Sequence, residues 1–251
     1  MTRPATTMNN EQLATQFLSG ACEIGRIPGP RTAGRELRYL FQDIDLAGKR
    51  LLDIGGGDGF YSFYAAGMGA REVVCLEPSD AGGSDEALST FQKMKARFPQ
   101  ANVTLDTRLI QQFSAAQPFD IVLMHASINH IDEEACIHLL ADRAAWAKYR
   151  EQFTAISALL VKGGFLIVSD CARQNFFDRL GMQNPLCPTI EWHKHQQPGV
   201  WARLLAEVGF QDPKIHWEPV YRLGKAGEIL TGNQLVSFFL RSAFRMHMRK
   251  A

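Results

Sequence analysis

An aspartate and a cluster of glycines follow a short apolar stretch near residue 50, a pattern that could hold a ligand against the main chain. Asp53 is followed by four glycines before Phe60: Gly55, Gly56, Gly57 and Gly59. Glycine lacks a Cβ, so it tolerates positive φ and lets a ligand approach the backbone closely. The dinucleotide fingerprint G-x-G-x-x-G requires a glycine where Phe60 stands, and a carboxylate at Asp53 would repel a pyrophosphate. The pattern therefore predicts a site for a cationic ligand rather than for a nicotinamide or flavin dinucleotide.

Histidines and a carboxylate follow the predicted fourth and fifth strands, at the sheet edge where ligands of open α/β sheets bind. His125 and His130 come after the fourth strand, Asp170 ends the fifth, and His193 lies in the segment that follows. Because its unperturbed pKa is about 6.5, a histidine can accept a proton at neutral pH. We expect His130 to be a general base, with Asp170 and His193 at the same catalytic site. The alternative is a structural role, in which His130 caps the next helix or holds the loop.

The same residues raise the question of a metal site. Asp170 and His193, together with His125 or His130, are ligand types that suit several divalent ions. No tight ligand spacing supports this, and the five cysteines include no C-x-x-C pair: Cys22, Cys75, Cys136, Cys171 and Cys187. The sequence therefore predicts no metal and reduced thiols, as is typical of a cytoplasmic protein.

Apolar runs of strand length alternate with helical patterns from residue 50 onward. Five strands are predicted, at Arg50–Ile54, Glu72–Glu77, Asn102–Leu105, Phe119–His125 and Gly164–Ser169. The helices predicted between them are Phe60–Met68, Asp85–Phe98 and about Glu133–Leu160. This alternation indicates β-α-β units on a parallel sheet that is covered by helices on both faces.

The segments that flank this core have patterns of their own. Two short helices are predicted before residue 46, and the aromatic segment Cys171–Gln197, which has no clear period, is predicted to be an insertion over the site. Within it, Asn175, Glu191 and His193 are candidates to hold a polar substrate, although they could equally satisfy the segment's own backbone. The predicted divisions are an N-terminal helical lid (1–46), a ligand-binding core (47–170), the insertion (171–197) and a C-terminal helix with strands (198–251).

The last strands are predicted to form an antiparallel pair that finishes the sheet. After a helix that begins at Pro198, a strand is predicted at Pro213–Trp217, and a second one near the C-terminus alternates apolar and basic residues. Its basic residues include Arg245, His247 and Arg249. Positive charge on an exposed strand discourages pairing with other chains, so we expect a solvated, charged edge strand.

Four segments in order resemble the motifs of class I S-adenosylmethionine-dependent methyltransferases. The glycine turn resembles the first motif, and Glu77 at the end of the second strand resembles the acidic residue of the second. Residues 119–124 resemble the fourth-strand motif and residues 160–167 the turn into the fifth strand. The resemblance covers residues 50–169 well and the later elements more loosely. It implies a Rossmann-like, doubly wound α/β fold of five parallel strands plus a C-terminal antiparallel pair.

The resemblance also implies roles for particular residues. Asp53 and the turn from Gly55 to Gly59 should lie beneath the methionine part of S-adenosyl-L-methionine. Glu77 should accept hydrogen bonds from the ribose, Leu109 should flank the adenine, and the backbone carbonyl of His125 should meet the cofactor ammonium.

The composition and net charge limit the classes of ligand and partner that the protein is expected to bind. The 251 residues include 27 Lys and Arg against 26 Asp and Glu, a formal net charge of +1. No overall field draws the molecule to nucleic acid or to a membrane, and residues 1–10 lack an apolar signal core. We therefore expect a cytoplasmic enzyme that transfers methyl groups to an oxygen or nitrogen of a small metabolite. The alternatives are a sensor or inactive homologue that binds S-adenosylmethionine, other chemistry on that sulfonium, and a nicotinamide-dependent oxidoreductase.

Overall fold

A computed structural model describes residues 9–78 and 85–251. Its single sheet has the strands β1 (Arg50–Ile54), β2 (Glu72–Leu76), β3 (Val103–Asp106), β4 (Phe119–His125), β5 (Leu160–Cys171), β6 (Phe210–Trp217) and β7 (Ala243–Lys250). The strand order is β3-β2-β1-β4-β5-β7-β6, and β7 is antiparallel to both of its neighbours. The predicted α/β fold, with parallel strands β1 to β5 and a C-terminal antiparallel pair, is confirmed.

Helices cover both faces of this sheet. They are α1 (Asn10–Glu23), α2 (Pro30–Leu40), α3 (Phe60–Gly67), α4 (Asp85–Arg97), α5 (Glu133–His138), α6 (Arg143–Ala158), α7 (Phe176–Arg179), α8 (Pro198–Ala206), α9 (Gly224–Thr231) and α10 (Gln234–Phe239). One apolar cluster joins α1, α2 and α3 to the sheet, and another joins α5, α6 and α8 to the opposite face. Leu51 and Leu52 on β1 point to opposite faces and are both fully buried. Burying such a side chain contributes about 1.5–3 kcal/mol, which explains why the central strands read as continuous apolar runs.

The largest differences from the sequence-based element boundaries concern the long helix after β4 and the fifth strand. The single helix predicted at Glu133–Leu160 is two helices, α5 and α6, because Asp142 caps a new helix by accepting a hydrogen bond from the backbone N–H of Ala144. The fifth strand is also longer than predicted and continues to Cys171, since β7 pairs with it as far as Ala243. Pairing with β7 gives hydrogen-bond partners to the backbone groups of the last residues of β5, so the strand continues where an unpaired strand would have ended.

The prediction that the C-terminal strand is a solvated edge is wrong. β7 lies between β5 and β6, and the side chains of Arg245 and His247 are buried. His247 Nε2 donates to the carbonyl of Leu40 at 2.9 Å, and Arg245 donates to the carbonyl of Tyr39. These are carbonyls at the C-terminal end of α2, which lack partners inside the helix. The basic residues therefore fasten α2 to the sheet.

Burial of His247 predicts a loss of stability in acid. Desolvation lowers the pKa of His247 to about 4, with a further lowering from Arg245 and His216 and an opposing effect of Asp43. The unfolded chain binds a proton near pH 6.5 that the folded protein excludes, so the stabilisation is complete above pH 6.5 and falls as pH decreases toward 4. We expect the free energy of unfolding to lose roughly 2 kcal/mol from this group between pH 7.5 and pH 5.

Urea unfolding of the wild type and of His247→Gln at several pH values measures this effect. The glutamine can still donate to Leu40, so the variant should retain α2 docking while its stability depends less on pH. His138→Gln, a change at a half-exposed histidine beside Glu134, is the matched control and should leave the pH dependence as in the wild type. Equal pH slopes in the wild type and in His247→Gln would contradict the assignment.

Among residues 9–78 and 85–251, none of the helices is both long enough and apolar enough to cross a bilayer.

Candidate active site

The turn after β1 requires glycine at several positions. Gly55, Gly57 and Gly59 have φ of +69°, +55° and +77°, in the left-handed region that side chains disfavour. A Cβ built on Gly55 would lie 2.5 Å from the Cβ of Ser127, which follows β4. The backbone N–H groups of Gly55 and Gly56 donate to the carbonyl of Leu76 on β2 at 2.8 and 3.2 Å. The turn is thus wedged between the ends of β2 and β4.

A cavity of about 650 Å³ opens above this turn. The turn itself, Arg26, Tyr61, Lys93 and His125 are among its lining residues. A Cβ built on Gly57 would meet nothing within 4 Å, so this side of the turn faces open space. The cavity lies at the carboxyl ends of β1 and β4, where a ligand of an open α/β sheet is expected.

Glu77, predicted to close the second strand, lies directly beside the turn. Its Oε2 accepts a hydrogen bond from the backbone N–H of Gly57 at 2.8 Å, and its own backbone N–H donates to the carbonyl of Asp106 at 2.9 Å. One carboxylate therefore links the end of β2, the end of β3 and the glycine turn. The predicted contact with a ribose stays a prediction.

Asp53 lies beneath the turn and is fully buried. Its Oδ2 accepts a hydrogen bond from the hydroxyl of Ser62 at 2.7 Å, whereas Oδ1 has no partner among the described residues. Burial raises the pKa of Asp53 to about 7, and the hydrogen bond from Ser62 partly opposes this rise. A Cβ built on Gly56 would lie 3.0 Å from Oδ2 of Asp53, so a larger residue above the carboxyl group would crowd it.

His125, a predicted site residue, is joined by hydrogen bonds to two residues that the sequence analysis did not single out, Tyr61 and Glu36. The hydroxyl of Tyr61 donates to Oε1 of Glu36 at 2.6 Å and lies 3.0 Å from Nε2 of His125. Burial lowers the pKa of His125 to about 4, so its imidazole is neutral at pH 7. Because the single hydroxyl proton of Tyr61 goes to Glu36, the network assigns the His125 ring proton to Nε2, which donates to the Tyr61 oxygen.

Arg26 also lines the cavity and was missed by the sequence analysis. Its guanidinium forms an ion pair with Asp58 and lies 4.7 Å from the centre of the Phe60 ring. Arg26 belongs to the connection between α1 and α2, which reads as an ordinary glycine- and proline-rich loop. No periodicity or motif in that loop marks the residue, whose partners lie more than thirty positions away.

The three residues predicted as catalytic lie away from the cavity lining. His130 is half-exposed and its Nδ1 is 2.6 Å from Oε1 of Glu133, while His193 is exposed. Asp170 is buried, and its Oδ1 is 3.0 Å from Nδ1 of His195 rather than near His193. By the alternation of side chains along β5, Asp170 lies on the same face as Val168, which packs with α5, α6 and α8. The structure therefore does not bring these three side chains together.

Two other predicted site residues have clear positions. Leu109, predicted to flank the adenine, is partly exposed and precedes a short 3₁₀ helix at Ile110–Gln112. Asn175, a candidate substrate ligand, is fully buried, and its amide donates to the carbonyl of Leu240 and to the hydroxyl of Ser242, each at 3.0 Å. The suggestion that Asn175 holds a substrate is therefore wrong: its amide fastens the insertion to the segment before β7.

Within the part of the chain that the structure describes, no three His, Cys, Asp or Glu side chains are gathered in a way that could hold a metal ion.

Comparisons with known proteins agree with this geometry. A family profile described as a methyltransferase domain matches residues 28–214. A curated tRNA U34 carboxymethyltransferase from Ectopseudomonas mendocina (strain ymp) is 26% identical over 193 residues, which are 69% of this chain and 58% of that protein. The match thus covers little more than half the length of that relative.

Solved structures show the same fold. An S-adenosylmethionine-dependent methyltransferase from Mesorhizobium loti aligns with a TM-score of 0.58 at 16% identity, over 87% of this chain and 98% of that one. The plantazolicin methyltransferase BpumL in complex with SAH aligns with a TM-score of 0.50 at 16% identity, over 96% and 86% of the two chains. Since the family profile spans most of the sequence, the chain belongs to the methyltransferase domain family.

Proposed function

We propose that this protein transfers the methyl group of S-adenosylmethionine to a nitrogen or oxygen of a small molecule. The observation that carries the proposal is the cavity above the glycine turn. Tyr61 and His125 line this cavity, and hydrogen bonds join Tyr61 to His125 and to Glu36. When bound, the cofactor supplies an electrophilic methyl carbon attached to a positively charged sulfur. The protein must then position an acceptor atom in line with that carbon and receive its proton.

The residues around the turn suit such a cofactor. Gly57 leaves the space above the main chain open, and Glu77 places a carboxylate at the end of β2, where hydroxyl groups of a ribose could donate to it. Asp53 adds a buried carboxyl group with an oxygen that has no partner among the described residues. Carboxyl groups favour a cation and disfavour a pyrophosphate. We assign cofactor binding to Asp53, the turn Gly55–Gly59 and Glu77, with Leu109 and the carbonyl of His125 as further contacts.

The side chains near the cavity orient the reactants and keep their environment fixed. Arg26 and Asp58 connect the segment before α2 to the glycine turn, so the N-terminal helices are held over the cavity. Tyr61 and His125 have ring centroids 4.3 Å apart and form one wall. A rigid wall of this kind reduces the orientational freedom that an acceptor loses on reaching its reactive position.

A nucleic-acid acceptor is the competing possibility, because the curated relative is named for an activity on tRNA. The net charge of +1 and the carboxylates beside the cavity favour a small acceptor over a polyanion. We therefore propose a small-molecule acceptor and keep tRNA as an arm of the experiment.

Calorimetric titration with S-adenosylmethionine, S-adenosylhomocysteine and NAD tests the cofactor first. We expect the two adenosyl ligands to bind and NAD not to bind. The protein is then incubated with S-adenosylmethionine labelled in its methyl group and with either a small-molecule extract or total tRNA. Label in a small molecule with a mass gain of one methylene supports the proposal, and label in tRNA alone contradicts it. Binding without label in either fraction would instead indicate a sensor.

A further inference from the structure

We infer that a small phosphomonoester binds on one face of β6 and β7, in a cavity separate from the one above the glycine turn. The inference goes beyond the proposed function and does not depend on it. We call this surface the basic face; it consists of Lys214, His216, Arg245, His247 and Arg249. Three observations on the described residues carry the inference: these side chains gather around one cavity, their three permanent cations form no ion pair, and one of those cations is buried.

The pairing of β6 with β7 brings the basic residues together. His216 lies directly opposite Arg245, and Lys214 lies directly opposite His247. Arg249 follows His247 by two positions and lies on the same face, because side chains alternate along a strand. Each cross-strand pair thus joins a permanent cation to an imidazole. Like charges directly opposite each other are destabilising, so an anion bound here would relieve repulsion whenever an imidazole is protonated.

A cavity of about 490 Å³ lies on the basic face, and all five basic residues are among its lining residues. Asp43 and Ile44, from the connection between α2 and β1, and Phe165 on β5 also line it. No described residue lines both this cavity and the one above the glycine turn. The basic side chains could therefore hold a phosphate group while Phe165 offers an apolar surface to the rest of a small ligand.

Arg245 is a buried cation that no carboxylate neutralises in the part of the chain that the structure describes. The residue is 1% exposed, and its guanidinium donates to the carbonyl of Tyr39 and lies 4.5 Å from the centre of the Tyr39 ring. Its buried Nε has no hydrogen-bond partner among the described residues. A buried charge normally has a partner, and its field is weakened less by the protein interior than by water. Arg245 therefore adds positive potential to the cavity without having to touch a ligand.

Lys214 and Arg249 are exposed and can contact a ligand directly. Within residues 9–78 and 85–251 neither of them forms an ion pair, and the guanidinium of Arg249 lies 4.5 Å from the centre of the Phe165 ring. An ammonium and a guanidinium both donate charge-assisted hydrogen bonds to phosphate oxygens. Because a phosphomonoester carries a charge of about −1.5 to −2 at pH 7, these two side chains can bind it more strongly than they bind a singly charged anion.

Two carboxylates, Asp43 and Asp212, also line the cavity and limit the kind of phosphate that can bind. Burial lowers the pKa of both imidazoles, so they are neutral at pH 7, and three permanent cations against two carboxylates leave one net positive charge. A long phosphate backbone would have to pass both carboxylates, whereas a single phosphate group can lie beside Lys214 and Arg249. The charges therefore favour a small phosphomonoester over a nucleic acid.

The test titrates the 251-residue chain with phosphomonoesters and with their uncharged counterparts. Sodium chloride at about 0.15 M screens weak surface attraction. The pairs are phenyl phosphate with phenol and glycerol 3-phosphate with glycerol, and a uridine oligonucleotide presents phosphodiesters. Binding is followed by calorimetry and by the phosphorus nuclear magnetic resonance signal of each ester. We expect at least one ester to bind about 10- to 100-fold more tightly than its uncharged counterpart, the range expected for hydrogen bonds to a charged group.

Variants locate the site on the basic face. Lys214→Gln and Arg249→Gln each keep a polar side chain but remove a charge, so each should lower the affinity for the ester about 10-fold. The matched control is Arg143→Gln, which changes an exposed arginine at the start of α6 on the opposite face of the sheet and should bind the ester as the wild type does. Arg245 is kept in all variants because it also fastens α2.

Saturating S-adenosylhomocysteine should not displace the ester, because the two cavities share no described lining residue. The inference is overturned if neither ester is preferred to its uncharged counterpart, if the preference survives unchanged in both variants, or if S-adenosylhomocysteine displaces the ester. Binding of the oligonucleotide without binding of the esters also overturns it and would indicate a nucleic-acid surface. Since no arm requires methyl transfer, failure of the proposed function would leave this result interpretable.

Discussion

Replacing Glu77 by alanine is expected to weaken the binding of S-adenosylmethionine by roughly 1.5 to 3 kcal/mol, or about 10- to 150-fold in affinity. We propose that the Glu77 carboxylate makes two kinds of hydrogen bond. One oxygen accepts the backbone N–H of Gly57 at 2.8 Å and so holds the turn, and the carboxylate is proposed to bind the ribose hydroxyls. Calorimetric titration of the purified variant with S-adenosylmethionine and S-adenosylhomocysteine measures the loss, which should be similar for both because they share the ribose.

Glu77→Gln separates these two kinds of hydrogen bond. Its amide oxygen can still accept from Gly57, so the turn should stay in place, while the loss of the charge weakens the hydrogen bonds from the ribose. We expect an affinity between those of the wild type and the alanine variant. Wild-type affinity in a folded Glu77→Ala protein would remove the ribose assignment, and equal losses in both variants would mean that holding the turn contributes little.

Replacing Asp53 by asparagine is expected to stabilise the protein increasingly as pH rises. Burial raises the pKa of Asp53 to about 7, so the folded protein holds a proton that the unfolded chain releases near pH 4. The folded state therefore binds more protons between these values, and this group makes the wild type less stable as pH rises through them. Asparagine does not titrate. The stability of Asp53→Asn relative to the wild type should increase by roughly 2–3 kcal/mol between pH 5 and pH 8.

Urea denaturation at matched pH values measures this difference. The difference between the two proteins cancels the contribution of His247, which has the opposite dependence on pH. Any constant cost of burying the asparagine amide also cancels, because only the change with pH is compared. A stability difference that is the same at pH 5 and pH 8 would mean that Asp53 is ionised in the folded protein throughout this range.

The same carboxyl group predicts proton release when the cofactor binds. A cation above the turn favours the ionised form of Asp53 and lowers its pKa, so binding near pH 6.5 should release a fraction of a proton. Calorimetry in two buffers with different ionisation enthalpies counts those protons. Asp53→Asn should release fewer; equal release from both proteins would assign the proton to another group.

Most of the glycine turn could be predicted from the sequence because its parts are local. Asp53, the four glycines and the start of α3 are contiguous, so the pattern that predicts the turn is complete within one short segment. Glu77 was predicted from the resemblance to the second motif of the family, and the parallel pairing of β2 with β1 places it beside the turn.

The hydrogen-bonded side chains beside the cavity could not be predicted in this way. Glu36 lies on α2, Tyr61 on α3 and His125 at the end of β4, and their hydrogen bonds join positions 25 or more residues apart. The sequence instead directed attention to His130, Asp170 and His193, which are close to strand ends. Sequence position identifies the edge of the sheet but not the face toward which a side chain points, and Asp170 points to the face packed against α5, α6 and α8.

The C-terminal strand β7 was likewise predicted only in part from the sequence. Alternation of apolar and basic residues correctly predicted a strand, because side chains alternate between the two faces of a sheet. It did not predict that Arg245 and His247 would be buried, since this depends on α2 presenting the carbonyls of Tyr39 and Leu40 at its C-terminal end to β7. The sequence by itself thus determined the sheet, its parallel strands and the glycine turn, which follow from local periodicity and glycine conformation. The tertiary structure alone decided which polar side chains meet, because their partners are contributed by elements far apart in the chain.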